Sequence, residues 1–581
     1  MRYQLIQPRQ TNLSAVEQVL FNRGINPNEL ENFKYPTDEH LNNPTQLEHM
    51  FDGAQMLIKH VGQNDKIFIQ VDSDCDGYTS AAILINYLNC LFPHFAQTKI
   101  SYRIHDGKQH GLLTETIPND IGLVIAPDSS SNDYEQHEEL AKRGIDVLVL
   151  DHHEAEKYSE YACVINNQMC DYPNKSLSGA GVVYKFCAYL DSLLNVNYAE
   201  DYLDLATTGL IADVMPLKDL ETRRLILKGM QGFRNPLLKT MVEKDEFHFK
   251  GKQLTPFNIA WYIAPYINAI TRSGTESEKQ VVFESMIDFL AYQTVPSTKR
   301  GCKGQFETRV EQAVRTCNNV KNRQGKSKES ATEAVLDIIE KENLLENKIL
   351  AIRLDPKYAA DKNLTGLIAN GLLDTYNRPI LILNKIEEND KVYWRGSGRG
   401  YDKANLGSLR DLLEQSGLVE YAQGHASAFG VSIPEENYEK LVQYINEAYK
   451  DFDCAPVYLV DLIWDGSKDL SAQAFAEIAD EEKIWGKGVE DPLIAIEGLR
   501  IYGNQLRIFG LEKGKPTLNI QFDDGSSLVK FKSSEEEYEL LHSDLGYVII
   551  NAVGTCTRSN WGNPQFMIQD YEIIGRNDYY F

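Results

Sequence analysis

The sequence lacks the features of a secreted or membrane-spanning protein. No uninterrupted apolar run among its 581 residues approaches the length that crosses a bilayer, and the N-terminus has no apolar signal-peptide core. None of the nine cysteines forms a Cys-x-x-Cys pair. This excludes a disulfide framework and the usual thiolate zinc sites, and it indicates reduced thiols. We therefore expect a cytoplasmic protein with no membrane partner.

The sequence also lacks a positive net charge. It has 84 acidic and 59 basic residues, a formal net charge of −25, whereas proteins that hold nucleic acid by its phosphates usually present a basic surface. A nucleic-acid-binding protein with this net charge would have to confine its basic residues to one groove. Basic residues gather at Lys299 and Arg300 and between Lys321 and Lys328. Each cluster is equally consistent with a solvated helix end.

Acidic residues directly follow an apolar stretch near the start of the chain. The stretch from Ile67 to Val71 is typical of a buried parallel strand, and Asp72, Asp74 and Asp76 come after it. The residues from Ala81 onward are typical of a helix that packs back on the sheet. Three acids at alternate positions repel one another, and a divalent cation is the usual remedy. A solvated acidic turn is the alternative.

Two further apolar stretches end in the same way. Asp128 follows one of them, and Asp151, His152 and His153 follow the other. Because the carboxyl ends of parallel strands meet at one edge of an open α/β sheet, we expect these residues to lie close together. Asp213 lies in another apolar segment, in which an unpaired charge is costly. For any one of these residues, a helix cap or a salt bridge is the alternative.

Imidazole and carboxylate ligands together suit Mn²⁺ or Mg²⁺ in a shared site for two cations. Zinc is less favoured because no thiolate pair accompanies them. Two cations about 3.5–4 Å apart bridge a water molecule, lower its pKa and neutralise the charge that develops on a phosphate. The pattern therefore predicts hydrolysis of phosphodiesters without a covalent intermediate.

These motifs resemble those of the DHH phosphoesterase superfamily, and within it those of the RecJ exonucleases. Asp72-Ser-Asp74-Cys-Asp76-Gly resembles the first motif, Asp128 the second, Asp151-His152-His153 the third, and the segment around Asp213 the fourth. The metal ligands that the resemblance implies are Asp72, Asp74, Asp76, Asp128, His152 and Asp213. The catalytic residues that it implies are Asp74, Asp76, Asp128, His152 and His153, the last as a phosphate contact or as support for the ligands.

The resemblance continues beyond the acidic motifs. Asn268 and Arg272 lie in a segment similar to one that approaches the DNA in RecJ, Ser397 and Arg399 lie in a Gly-rich basic loop, and Gly424 and His425 resemble a Gly-Gly-His signature. The resemblance implies that these six residues bind substrate. The loop, with Arg395, would act as a phosphate clamp.

Three positions depart from the family pattern. Ser129, Ser130 and Ser131 follow Asp128 where relatives have Asn-Gly. Gln423 replaces the first glycine of Gly-Gly-His. His105 stands where relatives carry arginine, which would weaken recognition of a 5′-phosphate.

The order of predicted elements indicates an α/β fold class. A parallel-sheet DHH domain and a smaller α/β DHH-associated domain are joined by a helical connector and followed by a C-terminal OB-like β-barrel. The predicted boundaries are 1–45 for an N-terminal lead-in, 46–235 for the catalytic domain, 236–345 for the connector, 346–454 for the substrate-binding domain and 455–581 for the barrel. Tyr502, Phe509, Phe531 and Trp561 are candidates for stacking on bases, although barrel core is the commoner role of such residues.

The predicted function is 5′→3′ exonuclease action on single-stranded DNA, which yields 5′-mononucleotides in DNA repair, recombination or replication. Two divalent cations, Mn²⁺ or Mg²⁺, are the expected cofactors. One alternative is a phosphodiesterase of short oligoribonucleotides or cyclic dinucleotides, and another is an inactive replication or repair scaffold. Single-stranded DNA is the expected partner, a single-strand-binding protein or a helicase is a further candidate, and the expected unit is a monomer.

Overall fold

The N-terminal lead-in packs against the far end of the chain. The computed structural model describes residues 1–578 except 108, 303, 355–363, 402–405, 454–456 and 560. The first elements are β1 (Arg2–Leu5), α1 (Ala15–Asn22) and α2 (Leu30–Lys34). Strand β1 pairs in parallel with residues 457–460, and Arg23 forms a buried ion pair of 2.7 Å with Asp461. The lead-in thus contributes a strand to the C-terminal region.

A five-stranded parallel sheet forms the core of the next region. Its elements are α3 (Met50–Gln63), β2 (Lys66–Val71), α4 (Cys75–Leu91), α5 (Pro93–Lys99), β3 (Ile100–Ile104), β4 (Ile121–Pro127), α6 (Tyr134–Lys142), β5 (Asp146–Asp151), β6 (Cys163–Asn166), α7 (Gly179–Leu194), α8 (Leu203–Ala212) and α9 (Leu220–Gly229). The strand order is β3-β2-β4-β5-β6, and all neighbours are parallel. The central strands are buried and nearly continuously apolar, as helices on both faces require. The predicted parallel α/β architecture is confirmed.

Helices cover both faces of this sheet. Helices α4 and α7 pack against the face that carries Ile69 and Ile125, and Leu140 of α6 packs against Val124 and Val149 on the other face. The chain reverses its direction across the sheet between β2 and β4, because β3 lies on the far side of β2. Open α/β sheets bind ligands at the carboxyl ends of the strands at such a point.

A helical connector follows the parallel sheet. Its elements are α10 (Pro236–Lys244), α11 (Glu246–Phe249), α12 (Pro256–Tyr262), α13 (Ala264–Ser273), α14 (Glu276–Glu284), α15 (Asp288–Ala291), β7 (Thr294–Pro296), β8 (Phe306–Thr308) and α16 (Arg309–Lys341). The hydroxyl of Thr308 accepts a hydrogen bond from Glu311 N and caps α16. Helix α16 has 33 residues and is about 50 Å long. It packs on α13 and α14 at its start, whereas Val335 and Ile339 near its end belong to the core of the following domain.

A smaller mixed sheet forms the second α/β unit. Its elements are β9 (Leu350–Leu354), α17 (Thr365–Tyr376), β10 (Ile380–Glu388), β11 (Lys391–Arg399), α18 (Leu409–Gln415), β12 (Tyr421–His425), β13 (Ala428–Pro434) and α19 (Tyr438–Ala448). The strand order is β12-β13-β11-β10-β9, in which only the β9–β10 pair is parallel. Helices α16 and α17 cover one face, and α18 and α19 cover the other.

The C-terminal region is dominated by a seven-stranded sheet. Its elements are β14 (Val457–Val460), β15 (Leu462–Asp465), α20 (Ala472–Ala479), β16 (Ile494–Tyr502), β17 (Leu506–Phe509), β18 (Thr517–Gln521), β19 (Ser527–Phe531), α21 (Glu535–Leu541), β20 (Gly546–Arg558) and β21 (Pro564–Asp578). The strand order is β15-β16-β20-β21-β19-β18-β17, while β14 pairs with β1. Within the described ranges no pairing joins the edge strands β15 and β17, so the barrel stays a prediction. No helix of the described residues is both long and apolar enough to cross a membrane.

Candidate metal centre

The ends of three neighbouring strands bring the acidic motifs to one edge of the parallel sheet. Asp72 directly follows β2, Asp128 follows β4, and Asp151 is the last residue of β5. Asp128 has a φ of 67° and Ser130 a φ of 84°, a left-handed conformation that residues other than glycine adopt only at a cost. The turn after β4 is therefore tight and left-handed, although serines occupy it.

His152 lies at the centre of the candidate metal site. Its Nε2 atom is 3.2 Å from Asp128 Oδ1, 3.5 Å from Asp213 Oδ2 and 3.9 Å from Asp76 Oδ2. Potential ligand atoms of Asp128, His152 and His153 lie within 4.8 Å of one another, and so do those of Asp76, His152 and Asp213. The two groups meet at His152, so their five residues form one continuous cluster of potential ligands.

The charges of this cluster are poorly compensated by protein groups alone. Asp128 Oδ1 is buried and accepts no hydrogen bond from any residue in the described ranges. Burial raises the pKa of Asp128 well above its usual value, and the charges of Asp76 and Asp74 raise it further. Burial and the same two carboxylates raise the pKa of Asp213 to about 8. Carboxylates crowded in this way favour a bound cation, and oxygen ligands with one imidazole fit Mn²⁺ or Mg²⁺.

Asp76 is oriented by the beginning of α7. Ser178 Oγ and Ala180 N donate hydrogen bonds to Oδ1 at 2.8 and 3.2 Å, and Gly179 N donates to Oδ2 at 2.7 Å. A β-carbon at Gly179 would lie 2.4 Å from Asp128 Oδ1, so only glycine permits this approach. The helix N-terminus therefore stabilises the Asp76 carboxylate and fixes it beside Asp128.

Asp72 and Asp74 were predicted to be metal ligands, but neither belongs to the two groups that share His152. Asp72 accepts hydrogen bonds from His105 Nδ1 at 2.9 Å and from His110 Nδ1 at 2.5 Å, one on each oxygen. Burial would raise the pKa of Asp72, but these two bonds lower it below its usual range. Asp74 Oδ1 accepts a hydrogen bond from Gly77 N at 2.9 Å and caps α4. Both oxygens of Asp72 are thus engaged by histidines.

Asp151 orients the two histidines of the third motif. Its Oδ1 atom accepts hydrogen bonds from His152 N at 2.7 Å and from His153 Nδ1 at 2.8 Å, and Ser131 N donates to Oδ2 at 3.0 Å. Burial lowers the pKa of His153, but the bond with Asp151 outweighs it and raises the pKa to about 9. His153 is half exposed, and its ring centroid is 5.3 Å from that of His110. Its positive face is therefore available to a phosphate.

The predicted DNA-binding residues of the connector lie beside the acidic turn. Asn268 Oδ1 accepts a hydrogen bond from Cys75 N at 3.0 Å, and Ser73 Oγ donates to the carbonyl of Thr271 at 3.2 Å. Arg272 follows Thr271 on α13. Asn268 thus holds the turn in place, which the sequence analysis did not predict.

The predicted phosphate-binding residues of the second α/β unit lie on β11 and β12. Ser397 Oγ is 2.8 Å from Thr365 Oγ1, and Arg399 Nε donates a hydrogen bond to Asn370 Oδ1 at 2.6 Å. Gly424 and His425 are exposed on β12. None of these four is brought into the His152 groups.

Arg395 does not fit the clamp that was expected to include it. Its guanidinium forms ion pairs with Glu388 at 2.7 Å and with Glu420 at 3.1 Å. Two carboxylates already match the charge of Arg395. Arg395 therefore stabilises the sheet surface through ion pairs.

Comparison with known proteins agrees with this fold. Residues 66–210 match the DHH family, N-terminal domain. The chain is 36% identical to YorK, a protein from the SPbeta prophage of Bacillus subtilis that carries the name of a single-strand DNA-specific exonuclease, over 99% of this chain and 98% of YorK. It is 24% identical to the single-stranded-DNA-specific exonuclease RecJ of Bacillus subtilis, over 99% of this chain and 71% of RecJ.

A solved structure shows the same fold. The crystal structure of RecJ from Thermus thermophilus in complex with Mn²⁺ matches 96% of this chain and 75% of its own, with a TM-score of 0.69 and 20% sequence identity. The parallel sheet with its acidic edge is thus the framework of a DHH phosphoesterase. Within that class, the chain belongs to the family of YorK and RecJ.

Proposed function

We propose that the protein is a metal-dependent exonuclease that hydrolyses single-stranded DNA from the 5′ end and releases 5′-mononucleotides. The observation that carries the proposal is the position of His152 Nε2, which lies 3.2 to 3.9 Å from three carboxylates at the edge of the parallel sheet. The names of YorK and RecJ support DNA as the substrate. The direction of digestion rests on the resemblance of the motifs.

Asp76, Asp128, His152 and Asp213 would hold the cations, with Asp74 beside them. Solved structures of Thermus thermophilus RecJ contain Mn²⁺ in one case and Mg²⁺ in another, and we propose the same ions here. When bound, the cations lower the pKa of a water molecule and neutralise charge on the scissile phosphate.

Residues around the cation site would bind and orient the DNA. His153, held by Asp151 and positively charged at neutral pH, would bind a phosphate oxygen. Arg272 would contribute from the connector and Arg399 from the second α/β unit; burial lowers the pKa of Arg399, and the charge of Arg272 lowers it further. Their positive charges would attract the phosphates of the DNA.

The C-terminal sheet offers a surface on which incoming bases would stack. Phe509 is paired with Thr517, which is paired with Phe531, so the two rings lie on the same face with one strand between them. The exposed fractions are 55% for Phe509 and 58% for Phe531, so these rings are not core. We propose that this face guides the strand, as in an oligonucleotide-binding fold.

A phosphodiesterase of short oligonucleotides is the second candidate. The observation in its favour is the formal net charge of −25, which weakens the binding of long polyanions. The two candidates differ in how the rate depends on substrate length.

The test is digestion of one long single-stranded DNA, labelled at its 5′ end in one sample and at its 3′ end in another, with Mn²⁺. We expect immediate release of mononucleotide from the 5′ label only. Asp128→Asn should abolish it, whereas Asp544→Asn, which changes an aspartate that is 88% exposed, should not. Cleavage of dinucleotides alone, with the long DNA intact, would favour the second candidate. Release from the 3′ label would refute the direction.

A further inference from the structure

Two lysines project from one face of the long connector helix α16. Lys321 and Lys328 are seven residues apart, which is close to two helical turns, so they lie on the same side and about 10 Å apart along the axis. Lys328 Nζ lies close to Gly371 of α17, where a β-carbon would be 3.4 Å from it. Arg399 Nη2 lies close to Gly366 of the same helix, where the corresponding distance would be 2.5 Å. Lys328 and Arg399 thus both approach α17, but on different faces of it, since Gly366 and Gly371 are five residues apart.

The same part of α16 contacts the end of α13, next to Arg272. Gln324 Nε2 donates a hydrogen bond to Ser273 Oγ at 3.2 Å, and Arg323 Nη2 donates to the carbonyl of Ser273 at 3.1 Å. Burial lowers the pKa of Lys321, and the positive charges of Lys328 and Arg272 lower it further. Arg272, Lys321 and Lys328 therefore form a cationic cluster drawn from α13 and α16.

Within the described ranges, carboxylates do not balance the two lysines of this cluster. Among the residues that the structure describes, no aspartate or glutamate forms an ion pair with Lys321, Lys328 or Arg399, whereas the neighbouring Arg323 pairs with Glu278 at 3.0 Å. The contrast is notable in a chain with 84 acidic residues. Like charges gathered in a partly buried place are unfavourable unless an anion joins them.

The cluster begins at the candidate metal centre. Arg272 follows Thr271, whose carbonyl accepts a hydrogen bond from Ser73 in the acidic turn. From there the positive charges continue along α16 to α17. A polyanion whose end lies at the metal site would contact Arg272 close to that site and the lysines farther out.

We propose that Lys321 and Lys328 bind the phosphodiester backbone of the DNA strand while its end lies at the metal centre. This inference rests on the proposed function and adds to it two substrate-binding residues on the connector helix. A lysine is a flexible point charge that tolerates several phosphate positions, whereas arginine fixes one geometry. Lysines therefore suit a backbone that advances after every cut.

The test compares Lys321→Gln and Lys328→Gln with Lys326→Gln. Lys326 is an exposed residue of the same helix and lies five residues from Lys321, therefore on another face. Lys326→Gln removes one positive charge, as the two cluster variants do. The probe is a labelled oligodeoxythymidylate of about 20 nucleotides, longer than one oligonucleotide-binding unit covers. Its dissociation constant is measured by fluorescence anisotropy in EDTA between about 50 and about 200 mM salt.

We expect each cluster variant to reduce the slope of log Kd against log salt by about 0.7, the value for one lost contact with a single-strand phosphate. Lys326→Gln should keep the wild-type slope, and Lys321→Arg should restore it. Slopes equal to that of Lys326→Gln would overturn the inference.

Hydrolysis of bis(p-nitrophenyl) phosphate with Mn²⁺ separates this role from a structural one, because so small an ester does not reach α16. All variants should hydrolyse it at the wild-type rate. A parallel loss of this activity in the cluster variants would overturn the inference, since the lysines would then support the metal centre. If the wild type neither binds nor digests single-stranded DNA, the proposed function fails and the inference fails with it.

Discussion

His105 is fully buried and hydrogen-bonded to Asp72, with Nδ1 at 2.9 Å from Asp72 Oδ1. Its other nitrogen, Nε2, lies 2.7 Å from the carbonyl oxygen of Gly111. Each ring nitrogen of His105 thus faces an oxygen atom that accepts hydrogen bonds. His105 therefore connects Asp72 to the backbone of the segment after β3.

Replacing His105 should weaken cation binding. In His105→Leu, the buried Asp72 carboxylate loses one of its hydrogen-bond donors, and the acidic turn loses its orientation. Changes of this kind typically cost 10–100-fold in metal affinity or activity. We expect the Mn²⁺ concentration for half-maximal nuclease activity to rise by about that factor. His94→Leu, at an exposed histidine, is the control. An unchanged Mn²⁺ requirement in His105→Leu would show that Asp72 needs no such support.

Asp128→Asn should have opposite effects on activity and on stability without metal. The amide removes one buried negative charge from a crowded group, so the melting temperature in EDTA should rise by a few degrees, as a gain of about 1–2 kcal/mol would give. Activity should be lost. Mn²⁺ at about 100 times its dissociation constant should stabilise the wild type by about 2.7 kcal/mol, and the variant should lose most of this shift. A destabilised Asp128→Asn protein in EDTA would contradict the like-charge argument.

The buried His137 should make the protein sensitive to acid. Both of its ring nitrogens are buried without a hydrogen-bond partner among the described residues, and burial lowers its pKa from 6.5 to about 4. The unfolded chain therefore takes up the proton first. The contribution of the neutral His137 to the free energy of unfolding is fully present above about pH 6.5. It falls as the pH drops toward 4, by roughly 3 kcal/mol in total.

His137→Leu removes this titration and keeps a side chain of similar size. We expect its urea midpoint to fall less than that of the wild type between pH values of about 7 and about 4.5. His94→Leu should behave like the wild type. Equal acid sensitivity of the wild type and His137→Leu would show that other groups dominate.

Removing the paired rings of the C-terminal sheet should weaken the binding of long DNA only. Phe509→Ala and Phe531→Ala each delete a stacking surface worth about 1–3 kcal/mol per base, which is about a 5- to 150-fold loss of affinity for an oligonucleotide. Cleavage of a dinucleotide should not change. Tyr35→Ala, at a tyrosine that is 63% exposed in the N-terminal region, is the matched control. If it weakens binding equally, the effect is not specific to the sheet.

The strand ends of the parallel sheet were predictable because a local pattern defines them. An apolar run followed by acids placed Asp76, Asp128 and His152 at one edge, and the structure brings them together with Asp213. The class of enzyme and its family were predicted from the same motifs and are confirmed by the comparisons.

Other features depend on residues that are far apart in sequence. His110 reaches Asp72 from the segment after β3 and carries no motif of its own. Asn268 was predicted to bind substrate. It also accepts a hydrogen bond from Cys75 N, 193 positions away in the sequence, and no local pattern indicates that contact. Strand β1 pairs with β14, more than 450 positions away, so the sequence of the lead-in alone could not reveal it.

The continuous helix α16 has a geometric consequence for the substrate. Its start packs on the connector beside the acidic turn, and its end lies in the core of the second α/β unit. One continuous helix therefore links the acidic edge to the second α/β unit, and it sets the distance between the two surfaces that a strand would touch. Because the proposed exonuclease acts on a free 5′ end, a closed circle of single-stranded DNA should resist digestion under conditions in which its linear form disappears.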